Sequence, residues 1–183
     1  MARRSFDDPE RESARLAALE FIRQYGDPVL RTPADRIEVF DEALVAEAHE
    51  MVRLMADGRG VGLAAPQLGR LRRLIVIQPY EDEPAHALVN PEIIDRSDEE
   101  EVATEGCLSI GEVNVEVSRA VQIRIKAQDL NGTEFEADIE GFAARVVQHE
   151  IDHLDGVLIL DRATPEDRRA ALAELRDSLL PSA

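Results

Sequence analysis

The chain predicts an α+β fold, with short antiparallel strands around a central metal-binding helix and a C-terminal helix closing the structure. Three observations carry this. Apolar residues recur at helical spacing over residues 41–57 and 142–154, short apolar or alternating runs lie between these stretches, and Asn131-Gly132 is the residue pair that favours a tight hairpin turn. No repeat, flexible linker or low-complexity tract divides the 183 residues, and an apolar fraction of 44% is enough for one core of ordinary size.

Taken in order, residues 1–20 form a charged N-terminal extension, a loose helix at most, whose role the residues do not reveal. Residues 41–57 predict a helix with Leu44, Val45, Ala48, Met51, Val52 and Met55 on one face and Gly58 as its stop. His49 within it has no partner at metal-ligand spacing, and His86 is similarly isolated. Residues 74–78, 86–89 and 121–127 read as strands, the last with Val121, Ile123 and Ile125 on one face. The acidic stretch 98–101 reads as a solvated loop, and residues 133–139 as the strand returning from the Asn131-Gly132 turn. Residues 142–154 predict a helix presenting Phe142, Val146, His149, Glu150 and His153 on one broad face and ending near Gly156. The final helix, residues 165–180, sets Glu166, Asp167, Glu174 and Asp177 against Arg168, Arg169 and Arg176, the mixed charge of a solvated structural cover.

A formal net charge of −17 argues against direct nucleic-acid binding, which needs a basic face. No apolar run approaches the ~20 residues of a membrane span. Arg3-Arg4 is followed by the charged FDDPERES where an export signal needs an apolar segment, so a cytoplasmic location is expected.

The chemistry concentrates in three segments. QHEIDHLDG, residues 148–156, contains HExxH: helical spacing brings His149 and His153 within about 5–6 Å at Cβ, so both can reach one cation while Glu150 stays free to move protons. A metzincin would need a third His where Ile159 stands, and Glu174 is an alternative third ligand of the zincin type. Cys107 in EGCLS, the only cysteine, is another: a lone thiol is often a small buried hydrophobe, yet Glu105, Gly106 and Ser109 make its surroundings polar and turn-forming. In RGVGLAAPQLG, residues 59–69, Gly60 and Gly62 suit close backbone approach or positive φ, and the Gln67 amide can donate and accept; the segment also suits a simple turn after a helix.

Residues 60–67 (GVGLAAPQ), 105–109 (EGCLS) and 148–156 (QHEIDHLDG) resemble, in this order, the three signature motifs of the peptide deformylases. YGDPVLR at 25–31 and LVNPEI at 88–93 are similar to further stretches of that family, and the likeness runs from Ile22 to Asp161. The resemblance implies that residues 21–183 form a single peptide deformylase-like catalytic domain. It implies removal of the N-formyl group from the N-terminal methionine of newly synthesised polypeptides by a metal-bound water, with Glu150 as general base and then acid. Cys107, His149 and His153 become the metal ligands; Gln67 and the Leu108 backbone N–H would receive the formyl oxygen, and Gly62 would hydrogen-bond the substrate. The usual metal is ferrous iron, with zinc, nickel or cobalt able to replace it.

That chemistry stands on general grounds too. Three protein ligands leave a tetrahedral cation one position for a water of lowered pKa, whose proton Glu150 can take. A methionine side chain needs an apolar pocket, for which Val61, Phe142 and Val146 are the nominated residues; spacing does not fix which way the adjoining Arg145 turns. N-formylmethionyl nascent peptides are the expected partners, with at most transient ribosome association because the last helix lacks a basic docking face. The chain departs from the usual family pattern at Gly111 and Asn114, where Pro and Arg are common, which bears on the cleft rim and on efficiency.

Overall fold

The computed structural model describes residues 8–178. The charged extension is helical where it is described: α1 (Pro9–Leu19) is capped by Asp8, whose carboxylate accepts the Glu10 N–H at 3.1 Å, and Pro9 enters at the first turn, where its missing N–H costs nothing. Residues 1–7 of that extension lie outside the described residues. Ala18 is buried, and α1 packs against α2 (Glu42–Asp57).

Asp41 caps α2 through the Leu44 N–H at 3.0 Å. Leu44, Ala48, Met51 and Met55 are buried as their spacing predicts, whereas Val45 and Val52 are only half-buried and Leu54 takes the inner position. Gly58 ends the helix with φ −69°, and it is Arg59 that adopts positive φ, at 61°.

Among the described residues seven strands follow: β1 (Gly62–Ala64), β2 (Leu74–Ile77), β3 (His86–Arg96), β4 (Glu100–Gly106), β5 (Asn114–Ala120), β6 (Gln122–Gln128) and β7 (Glu134–Glu140). Five form an antiparallel sheet in the order β1-β2-β3-β6-β7, and β4 pairs with β5 in a separate two-stranded sheet. Glu100 and Glu101 therefore begin a strand rather than a loop, although their side chains are exposed. β3 runs past the predicted end at Val89, crossing Asn90-Pro91 with a shift in register, and β6 starts just after Val121. The hairpin is as expected: Gly132 takes φ 83°, and the Asp129 carboxylate accepts the Asn131 and Thr133 N–H groups at 2.8 and 2.9 Å.

Helix α3 (Gly141–Leu154) lies on one face of the large sheet, burying Ala144, Val147, Ile151 and Leu154 against Ile75, Ile77, Ile123 and Ile125. Helix α2 covers the other face through Leu74, Val76 and Val89. The continuous apolar run LIVI of β2 follows from this, since both its faces are covered, while β6 alternates because one of its faces meets water. The short α4 (Ile159–Arg162) and then α5 (Pro165–Ser178) pack on the two-stranded sheet, with Leu160, Ala171 and Leu175 beside Val113, Val115 and Val117. The predicted last helix extends to residue 180, and its final two residues lie outside the described ones. No described helix is long and apolar enough to cross a membrane.

One buried polar clamp fixes the N-terminal approach to the sheet. Asn90, at φ 52°, accepts the Ile37 N–H and donates to the Ile37 carbonyl, both at 2.8 Å, and donates to Gln128 Oε1 at 2.8 Å. Asn90→Ala removes these partners and leaves a Cβ-bearing residue without local compensation in the left-handed region. It should lower unfolding free energy by about 3 kcal/mol, read as a fall in urea midpoint with unchanged slope.

Candidate metal centre and active site

Three separate elements deliver the chemical groups. Gln67 lies in a 3-10 turn (Ala65–Leu68) after β1, Cys107 follows β4 and precedes a second 3-10 turn (Leu108–Ile110), and α3 carries His149, Glu150 and His153. The segment before the first of these ties the walls together: Arg23 N–H donates to the Gln67 carbonyl at 2.7 Å, Tyr25 N–H to the Ser109 carbonyl at 2.8 Å, and the Gln24 amide to the Leu108 carbonyl at 3.2 Å.

One ligand atom each from Cys107, His149 and His153 lies within 4.8 Å of the others. Cys107 Sγ is 3.2 Å from His153 Nε2, and the two imidazole rings stand 5.0 Å apart and nearly edge to face. His149 Nδ1 meets Glu105 Oε2 at 3.0 Å, which leaves its Nε2 for the centre. A thiolate with two imidazoles suits a first-row divalent cation. Beside them Glu150 is buried, and its Oε2 has no hydrogen-bond partner, an acceptor that a water or substrate group at this position would satisfy. Glu174 is exposed on α5 and is not among the residues whose ligand atoms converge, whereas Cys107 is. His49 and His86 are exposed and apart from it.

Charge in the site is set by burial and by neighbours. Burial pushes the Glu150 carboxyl up, to about 7, with nearby Glu105 adding to the rise and His149 and Arg119 opposing it. Burial also disfavours an imidazolium at both histidines, but Cys107 and Glu105 hold His149 well above the usual histidine range, whereas His153 falls well below it.

Glu105 organises the site from behind. Arg119 grips it with two bonds of 3.0 Å, Arg145 donates to it at 2.9 Å, and His149 completes its surroundings. Burial raises the Glu105 carboxyl, but the His149 and Arg119 bonds outweigh that and hold it near 2. Arg119 continues to Asp152 at 2.5 Å, and Arg162 donates to Asp152 at 2.6 and 3.1 Å. Arg145 thus turns toward Glu105, the Val117 carbonyl and the Glu101 carbonyl. Sequence reasoning noticed Glu105 only as a polar neighbour of Cys107 and missed Arg119, Asp152 and Arg162. Arg119 and Asp152 signal themselves as charged side chains inside otherwise apolar periodic runs, whereas Arg162, at the end of a short helix and half-exposed, gives no such signal.

The other nominated residues surround a cavity of about 380 Å³. Gln67 accepts the Ala64 N–H at 2.8 Å through Oε1 and aims Nε2 at Ser109 Oγ, 3.2 Å, and Cys107 Sγ, 3.7 Å. Leu108 opens its 3-10 turn, where a backbone N–H has no acceptor within the turn. A Cβ on Gly62 would collide with the Glu150 carboxylate, and one on Gly60 would sit 2.9 Å from the Leu108 side chain, so these glycines serve close approach rather than positive φ. Val146 is buried in the cavity wall, while Val61 and Phe142 are 41% and 46% exposed at its mouth. Gly111, also on the lining, adopts φ 67° with open space around it, a conformation closed to proline.

Cys107, His149 and His153 could hold a cation beside the Glu150 carboxylate of an HExxH helix, an arrangement of the kind a metal-dependent hydrolase needs. The family model for polypeptide deformylase matches residues 19–169. A peptide deformylase of Dictyoglomus thermophilum is 52% identical over 145 residues, covering 79% of this chain and 93% of that protein. The crystal structure of peptide deformylase from Thermotoga maritima is 47% identical and superposes with a TM-score of 0.76, covering 79% of this chain and 97% of the other. One from Legionella pneumophila is 40% identical, with a TM-score of 0.81 over 86% of this chain and 93% of its own. The chain belongs to the peptide deformylase family.

Because Glu105 orients His149 and offsets Arg119 and Arg145, Glu105→Gln should weaken binding of a divalent cation about 10–100-fold. Titration of the apo-protein with Zn²⁺ or Co²⁺, against a chelator of known affinity, measures this; unchanged affinity would show that His149 is oriented without the carboxylate.

Proposed function

We propose that this chain removes the formyl group from N-formylmethionyl peptides, with Glu150 as the proton-transfer group and Cys107, His149 and His153 as the cation's ligands. The observation that carries the reading is the unpaired, buried Glu150 carboxylate next to three ligand atoms within 4.8 Å of one another. Ferrous iron is the proposed metal, and the mixed thiolate and imidazole donors also accept zinc, nickel or cobalt.

When bound, the cation supplies Lewis-acid activation of a water and of the formyl oxygen. Glu150 takes a proton from the attacking water and returns it to the departing amine, a double duty suited to a carboxyl near neutrality. The Gln67 amide, held at its other end by Ala64, and the Leu108 N–H hold the formyl oxygen as negative charge grows there; one such donor is worth about 3 kcal/mol. Strand β1 is an edge of its sheet, so the backbone of Gly62 pairs with an extended peptide laid alongside. Val61, Phe142 and Val146 receive the methionine side chain. Residues 21–183 act as one catalytic domain in the cytoplasm, meeting the ribosome transiently if at all, since α5 carries acidic and basic residues together.

Formate release from a formylmethionyl peptide tests the reading. Glu150→Gln should keep its metal and lose about 10²–10⁴ in kcat/KM; equal release by the two proteins would defeat the role given to this carboxylate.

The pH profile gives an independent check. A base must be ionised, so kcat/KM should fall as pH drops through the Glu150 value. That value is about 7 without a cation and lower with positive charge alongside, so the acid limb should lie at or below pH 7. Glu150→Gln should lack this limb.

A further inference from the structure

The mouth of the cavity is touched by a helix that belongs almost entirely to the segment before the family match, which begins at residue 19. On α1, Glu12 and Arg15 are one turn apart and face the same side. Glu12 accepts from Arg15 at 2.9 Å through Oε1 and meets Arg59 Nη2 at 3.0 Å through Oε2, while Arg15 Nη2 reaches Glu112 at 3.7 Å. Arg59 lines the cavity together with Gly60, Val61 and Gly62, and Glu112 follows Gly111, which also lines it. A chain of alternating charges thus runs from Arg59 through Glu12 and Arg15 of α1 to Glu112. The backbone of Arg59 sits at φ 61°, which fixes where its side chain leaves the rim, and that side chain remains 39% exposed.

We propose that Glu12 is a specificity-determining positioning residue. By pairing with the Arg59 guanidinium it sets the charge that a peptide meets as it leaves the cleft, and so weakens the preference for acidic side chains downstream of the formylmethionine. The extension is then part of the substrate rim, acting through Arg59. This rests on the deformylase reading, because the peptide must enter the same cavity. The pair is exposed, so its effect is modest and screened by salt.

Two formylmethionyl tripeptides differing only in a third residue, Asp or Lys, give the test through formate release. In Glu12→Gln the Asp-to-Lys ratio of kcat/KM should rise about three- to fivefold over wild type at low ionic strength, chiefly through KM. At 1 M salt, where the screening length is about 3 Å, the rise should vanish. It should also vanish in Glu12→Gln/Arg59→Gln. A ratio equal to wild type in Glu12→Gln, or a rise that survives either high salt or loss of Arg59, overturns the proposal while leaving deformylation standing. Absence of formate from wild-type protein with both peptides defeats the deformylase reading, and this inference with it.

Discussion

The structure turns on one buried carboxylate. Glu105 sits at the end of β4, two residues before Cys107, and meets Arg119 of β5, Arg145 and His149 of α3. It therefore joins the strand that carries the thiol to the helix that carries the imidazoles. A buried carboxylate alone would be costly; two guanidiniums and a ring nitrogen offset that cost, and its directional bonds fix His149 with Nε2 facing the centre. Asp152, about one turn along α3 from His149, extends the arrangement by binding both Arg119 and Arg162.

The backbone completes what these charges begin. The Ile22–Asp27 stretch carries little chemistry of its own, yet its amides and Gln24 bond the carbonyls of Gln67, Leu108 and Ser109. Both cavity walls are thereby referenced to one short piece of chain. α3 is similarly constrained at its end, where Gly156 at φ 73° lies so near the Arg31 carbonyl that a Cβ would be 2.7 Å away. Position is what catalysis at a preformed site needs, because donors that are already aimed do not have to reorganise during the reaction.

Much of this was legible in the residues. Helix periodicity located α2 and α3, the Asn-Gly pair located the β6–β7 hairpin, and HExxH spacing placed two candidate ligands and Glu150 on one broad face. β4 and β5 were hidden because their alternation is diluted by charge: Glu100, Glu101, Glu105 and Arg119 look like solvated residues until the fold buries the last two against each other. β1 was hidden by its three-residue length and its glycine. Arg59 shows a related limit, since positive φ was expected from glycine and fell instead on the residue between two of them.

Gly111 sets the path of the rim loop through its backbone and not through a side chain. Its dihedral angle lies where a pyrrolidine ring cannot close, although there is ample room for one. Replacing this glycine by proline would therefore be a change of route for the main chain and not an exchange of one side chain for another.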